Sequence, residues 1–328
     1  MQILVTGGAG FIGGHLAERF LQQGHDVTVL DALLPFYDLG IKEATIDAAR
    51  EAAAESGADY EFVEGSVTDD EQISSLVAEA DMIYHQAAQA GVRASVAEPQ
   101  KVHDINVTGT VTILEAAREH GVERVVNASS SSVYGKPVSL PYAETHPTEP
   151  VSPYGVSKRS AEHYVRVYNE VYGLPTVSLR YFTVYGPRMR PNMAFTNFVS
   201  RCLHGESPII YGDGQQTRDF TYIEDIAAAN KRLLETSAAD GEVVNVGSGD
   251  RITIEKLARV IRDEIDPSLE IVYDDPREGD AEHTHADVSK AADLLGYEPS
   301  VSIVEGARLF VEWYRENQDW YDPLVRQS

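Results

Sequence analysis

With 328 residues, 43% of them hydrophobic, the chain is long enough to bury a large core as one large domain or two lobes. Its 52 acidic against 27 basic residues give a formal charge of −25, dispersed along the chain, which argues against a nucleic-acid backbone or an anionic membrane surface as partner. No run approaches the ~20 apolar residues that span a bilayer, no basic region precedes Ile3, and Cys202 is the single cysteine, so a disulfide-free protein of the reducing cytoplasm is expected.

In chain order, the β-branched run Gln2 to Thr6 leads into Gly7-Gly8-Ala9-Gly10-Phe11-Ile12-Gly13-Gly14 and then a helical pattern from His15 to Gln23. Glycines between a strand and a helix let the backbone turn sharply and approach a pyrophosphate, which the free N–H groups of the helix start attract. A second strand, Asp26 to Leu30, ends in Asp31, an acid placed to bond both hydroxyls of an adenosine ribose and to repel a 2′-phosphate. These residues point to NAD rather than NADP. Residues between Gly40 and Gly57 are rich in alanine and acid and read as a helical excursion on the surface, with no chemistry assigned.

The alternation continues with strands at Tyr60 to Glu64, Met82 to His85 and Arg124 to Asn127, and helices at Asp70 to Glu79 and Asp104 to His120, with a loop passing into a helix over Gln86 to Glu98. Strands alternating with helices predict an α/β fold, a doubly wound parallel sheet with its ligand at the carboxyl ends of the strands. Ser152 and Pro153 then form a helix start, as N-cap and first helical residue. Tyr154 and Lys158 follow on one face. An ammonium beside a phenol favours the phenolate, which makes the pair a candidate general base.

Beyond the strand Thr176 to Tyr181 the regular alternation lapses. Helices are predicted over Asn192 to Gly205, Phe220 to Glu235 and Thr253 to Glu264, strands over Ile209 to Tyr211 and Val243 to Val246, and a mixed cap from Pro276. The expected division is a cofactor domain of residues 1–181 with 220–247, and a smaller, discontinuous α/β lobe of 182–219 with 248–328, the site lying in the cleft between them. His283 and His285 lie near Asp287 without further ligand-type neighbours, so no metal site is expected; Cys202 reads as core.

Taken together, Thr6 to Gly13, His85-Gln86-Ala87-Ala88, Ser129 to Gly135, Tyr154 to Lys158 and Arg218 to Tyr222 resemble the extended short-chain dehydrogenase/reductase family, and within it the NAD-dependent nucleotide-sugar epimerases and dehydratases. The resemblance implies a Rossmann-like sheet and a tightly bound NAD recycled within the site. The implied cofactor contacts are Gly7, Gly10, Phe11, Ile12, Gly13, Asp31, Ser66, Val67, Gln86, Ala87 and Ala88, with Tyr154 and Lys158 at the nicotinamide end. Ser66 departs from the family, which often has an aspartate there. Tyr154 would be the base, Lys158 would bond the nicotinamide ribose and lower the tyrosine pKa, and Ser130 would hydrogen-bond the hydroxyl being oxidised.

The branch of the family is read at the substrate end. Dehydratases of this kind carry an Asp-Glu pair after the position of Ser130, and pentose-forming decarboxylases a glutamate at the position of Ser132; here Ser131 and Ser132 stand instead. Hydroxyls position a substrate but serve poorly as acid and base for elimination. Inversion at C4 through a transient 4-keto sugar is therefore favoured. Arg218 and Arg277 match arginines that contact the diphosphate, and Tyr211 is expected beside the nucleotide's base. The stretch Phe182 to Pro191, with Thr183 and Arg190, and the segment Phe36-Tyr37-Asp38 look similar to UDP-glucuronate 4-epimerases, where the arginine matching Arg190 holds the sugar carboxylate. UDP-glucuronate/galacturonate is thus slightly favoured over UDP-glucose/galactose. The alternatives are a 4,6-dehydratase or decarboxylase of the same fold, and a non-catalytic NAD-sensing protein. The family commonly dimerises through helices corresponding to Ser95 to Glu119 and Ser152 to Tyr172, so a homodimer is expected.

Overall fold

Short runs of β-branched and apolar residues form strands here because both of their faces find cover. In the computed structural model, which describes residues 1–136, 139–275 and 282–327, seven strands make one parallel sheet. Their order is Val243–Val246, Thr176–Tyr181, Arg124–Ser130, Met82–His85, Gln2–Thr6, Asp26–Asp31 and Tyr60–Glu64. Met82–His85 and Thr176–Tyr181 are buried along their whole length, as strands sandwiched between helices must be. The chain moves outward from Gln2–Thr6 to Tyr60–Glu64, then returns to the opposite side with Met82–His85. That reversal opens a crevice at the carboxyl ends of the strands, the place where such sheets bind ligands. Gly7, Asp31, Gln86 and Ser131 directly follow or end strands at this edge.

The helix Leu39–Ser56 corrects one expectation. It is no surface excursion: Ile41, Lys42, Thr45, Ile46, Ala49, Ala52 and Ala53 are buried. Its alanines make a shallow stripe that lets it lie close against the first helix, Phe11–Gln22, and Gly14 faces Thr45 so closely that a Cβ would overlap the threonine methyl. The predicted helix from Asp104 is also more complex. Pro99–His103 runs into a wide π turn at Asp104–Thr108 before Gly109–His120. Asn106, in that turn, donates to the Gln89 carbonyl at 3.2 Å and to Ser157 Oγ at 2.9 Å, and so ties the loop after Met82–His85 to the helix Pro153–Tyr172.

Phe220 to Tyr222 was predicted as helix and is instead a strand, parallel to Thr183–Tyr185. Two aromatics flanking a threonine, all buried, suit a pleated ribbon, and the helix begins only at Ile223. Two further ribbons pair Ile209–Tyr211 with Val272–Asp274 and Thr217–Arg218 with Ile252–Thr253. Around them the helices Ala194–Leu203, Ile254–Ile265, Ile303–Glu316 and Gln318–Arg326 pack on an aromatic centre. There Tyr185 stacks on Phe195 at 4.2 Å between ring centres and Phe195 meets Phe310 edge-on at 6.0 Å. Cys202, on the helix Ala194–Leu203, is buried. Among the described residues no helix is long and apolar enough to cross a membrane.

Candidate active site

The turn after Gln2–Thr6 has the tightness that its glycines allow. Gly7 has φ +70°, and a Cβ there would lie 2.7 Å from the Ala87 backbone; at Gly13 a Cβ would overlap the Gly7 carbonyl. The Gly7 N–H donates to the Leu30 carbonyl at 2.6 Å, which brings the ends of neighbouring strands to one point. Here a pocket of about 550 Å³ opens. It is lined by Gly7, Gly10, Phe11, Ile12 and Gly13, by Asp31, Ser66 and Val67, by Gln86, Ala87 and Ala88, and by Ser130, Tyr154 and Lys158. A crevice floored by backbone that no Cβ can fill, beside a helix start and an aspartate, fits a dinucleotide.

Asp31 is buried and fully engaged on one oxygen: Oδ1 accepts from Leu33 N at 2.9 Å and from Lys42 Nζ at 2.8 Å, while Oδ2 accepts from Ala9 N at 3.2 Å. Lys42 also lines the pocket. Sequence reasoning assigned it nothing. The signal was present, since Lys42, Thr45, Ile46, Ala49 and Ala53 share one helical stripe that is otherwise made of core residues.

Ser152 caps the helix Pro153–Tyr172 by accepting from Gly155 N at 3.1 Å, which fixes Tyr154 and Lys158 at its first turns. Burial pushes the Tyr154 phenol above its ordinary value, and two groups oppose this: a hydrogen bond with Ser130 and the positive charge of Arg190. The Lys158 ammonium is turned to the Ala128 carbonyl at 2.7 Å. Arg190 thus supplies a positive charge that counters burial of the phenol, while Lys158 bonds a carbonyl two residues before the end of the strand Arg124–Ser130. Burial also pulls Lys158 down to about 8, with Glu162 opposing. Glu162, a turn beyond, is buried and accepts from Ser129 Oγ at 2.5 Å, Arg159 at 2.9 Å and Arg180 Nε at 2.7 Å. Burial would raise its carboxyl, but Arg180 and these partners hold it below the usual range.

A second, larger cleft of about 1590 Å³ adjoins the pocket. Thr183, Tyr211 and Arg218 line it. Arg218 donates to the Thr217 carbonyl at 2.9 Å and to the Glu282 carbonyl at 3.2 Å. Arg277 lies outside the described residues. The two cavities share a wall that includes Phe36, Gly91, Ser131, Ser132, Thr183, Met189 and Arg190, and no Asp or Glu stands in it among the described residues. Arg190 lies over the Phe36 ring at 5.6 Å, and its Nη1 is buried without a hydrogen-bond partner. Arg188, at φ +59°, turns the other way and pairs with Glu18 on the first helix, anchoring the loop that carries Arg190. His283 bonds Thr217 and His285 bonds the Gly249 carbonyl.

Residues 4–310 match the protein family described as GDP-mannose 4,6 dehydratase. This chain belongs to that family. It is similar to UDP-glucuronate 4-epimerase of Thermodesulfobacterium geofontis, 36% identical over 319 residues, which cover 96% of each chain. The crystal structure of UDP-glucuronic acid 4-epimerase from Bacillus cereus in complex with UDP-glucuronic acid and NAD superposes with a TM-score of 0.89 at 35% identity, over 96% of this chain and 99% of that one. That of UDP-glucose 4-epimerase from Thermotoga maritima with UDP-glucose gives 0.88 at 35% identity, over 97% and 100%. The family is that of the extended short-chain dehydrogenase/reductases. It houses dehydratases and epimerases on one sheet, so the reaction is read from the wall between the two cavities.

Proposed function

We propose that the protein is an NAD-dependent UDP-sugar 4-epimerase, with UDP-glucuronate and UDP-galacturonate as its substrate pair. The observation that carries this is the wall shared by the two cavities: among the described residues it holds Ser131, Ser132, Thr183 and Arg190 but no carboxylate, and it adjoins Tyr154 and Ser130. The epimerases of B. cereus and T. geofontis support it. NAD supplies an acceptor and later a donor of hydride at C4. Tyr154 accepts the proton of the C4 hydroxyl, with Ser130 orienting that hydroxyl, and returns it after the keto sugar has presented its other face. With no carboxylate among the described residues of that wall, elimination of water lacks the second acid and base it needs.

Arg190 selects the sugar. A buried guanidinium nitrogen without a partner carries a desolvation penalty of about 1–3 kcal/mol, and a sugar carboxylate would remove it. Ser131, Ser132 and Thr183 orient the hexose, Arg218 and Arg277 hold the diphosphate, and Tyr211 lies by the base. Residues 1–181 with 220–247 form the cofactor part and 182–219 with 248–328 the sugar-nucleotide part. The active form is a cytoplasmic homodimer, for which the exposed apolar side chains Val96, Val156, Val167, Val171 and Tyr172 supply a contact face.

The test is incubation with UDP-glucuronate, UDP-galacturonate, UDP-glucose and UDP-galactose, without added reductant, with products followed by NMR. Interconversion of the two uronates is expected. A dehydrated 4-keto sugar or a pentose would place the protein among the lyases, and no turnover of any substrate would leave a coenzyme-binding protein without catalysis.

A further inference from the structure

We infer that selection between NAD and NADP rests on the pair Asp31–Lys42 and not on Asp31 alone, Lys42 being a second reader of the adenosine ribose. The inference rests on the reading of this pocket as a dinucleotide site. A carboxylate offers about four lone-pair positions. Three are already taken at Asp31, two on Oδ1 by Leu33 N and Lys42 Nζ and one on Oδ2 by Ala9 N. One position is left for a ribose hydroxyl, on Oδ2. The neighbouring hydroxyl needs another partner, and the one at hand is the Lys42 ammonium, which has three N–H donors and gives one to Asp31.

The placement of Lys42 is built and not incidental. Its side chain is 10% exposed and that of Asp31 is 7% exposed, and both line the cofactor pocket. The ammonium lies 5.9 Å from the centre of the Tyr37 ring. The ribose diol is then held by complementary groups, one hydroxyl donating to Asp31 and the other accepting from Lys42.

The pair also sets what happens to a 2′-phosphate. Asp31 repels it and takes the ammonium for itself. Once the carboxylate is gone, the same ammonium is a free cation at the position the phosphate would occupy, and Asp31→Ser becomes a receptor for NADPH through Lys42.

Four variants of the full chain test this: K42M, K42R, D31S and D31S/K42M. NADH and NADPH affinities are measured by fluorescence titration, and the nucleotide retained on purification is assayed in parallel. K42M should bind NADH about ten- to a hundredfold more weakly, the loss expected for one charge-assisted hydrogen bond, and K42R should recover most of it. D31S should gain NADPH binding by a similar factor, and D31S/K42M should lose that gain. Equal NADPH affinity of D31S and D31S/K42M overturns the inference, as does K42M binding NADH like the parent. If K42M fails to fold because it leaves a buried carboxylate unpaired, D31S against D31S/K42M still decides, since both lack that charge. Coenzyme titration is read apart from sugar turnover. A parent chain that epimerises nothing leaves the pattern intact, whereas one that binds no NADH overturns the cofactor reading together with the inference.

Discussion

Arg190 lies over the face of Phe36, its guanidinium carbon 5.6 Å from the ring centre, and keeps Nη1 buried without a partner at the wall common to the dinucleotide-like pocket and the larger cleft. The ring holds the guanidinium in place on one face and leaves an edge for an anion. Its charge also acts on the Tyr154 phenol. Arg190→Met should therefore do two things. Turnover of UDP-glucuronate should fall by about a hundredfold or more, in line with the loss of a buried charge pair, while UDP-glucose is affected less. Steady-state kinetics on both sugars check this, and an equal loss on both would assign Arg190 to the base rather than to the carboxylate.

Tyr154→Phe removes the hydroxyl proposed as proton acceptor but not the hydrophobic contact of the ring. The kcat should drop by about a hundred- to ten thousandfold. The coenzyme content of the purified protein should stay as in the parent, because the glycine turn and Asp31 hold the other end of the pocket.

Deuterium distinguishes inversion from elimination. In D2O the epimerised product should carry no deuterium at C4, since the hydride stays within the site, and none at C5, since no carboxylate stands among the described residues of the shared wall to take that proton. Mass spectrometry and NMR of the product give the answer directly, and label at C5 would mean that another base reaches it.

Lys158 gives stability a pH dependence of known sign. In the folded chain burial disfavours the charge and pulls the group down from the ordinary lysine value of 10.5 to about 8. Between these values the unfolded chain binds more protons, so stability contributed by this group rises with pH, by up to about 1.4 kcal/mol per unit. Below about 8 the buried ammonium is a cost at constant size. Replacing it by Met should thus stabilise the nucleotide-free protein most at pH 7, and the difference from the parent should shrink toward pH 10 in urea unfolding.

Glu162 is the opposite case, a charge that its surroundings demand. Its side chain is fully buried and that of Arg180 is 3% exposed. Glu162→Gln leaves Arg180 buried without its counter-charge, and a loss of about 3–5 kcal/mol is expected. Urea unfolding at neutral pH measures it.

Much of this molecule was legible in the order of its residues, because the physics involved is local. Short β-branched runs between helical patterns sufficed for the parallel sheet. The glycines from Gly7 to Gly13 announced a turn that only glycine can make, and four-residue spacing put Tyr154 and Lys158 on one face. The meaning of Ser131 and Ser132, serines where related dehydratases carry acids, came instead from the family resemblance. What local pattern cannot encode is which distant segments meet. Lys42 stood in a stretch given no chemistry, and only the docking of Leu39–Ser56 on the first helix brings its ammonium to Asp31. Phe220 to Tyr222 has residues that suit either state, and the partner strand Thr183–Tyr185 decided for a ribbon. The position of Arg190 between Phe36 and Tyr154 was decided last, by a loop held at Arg188 to Glu18. Spacing along the chain determines what a helix face presents; only the packed chain determines what that face meets.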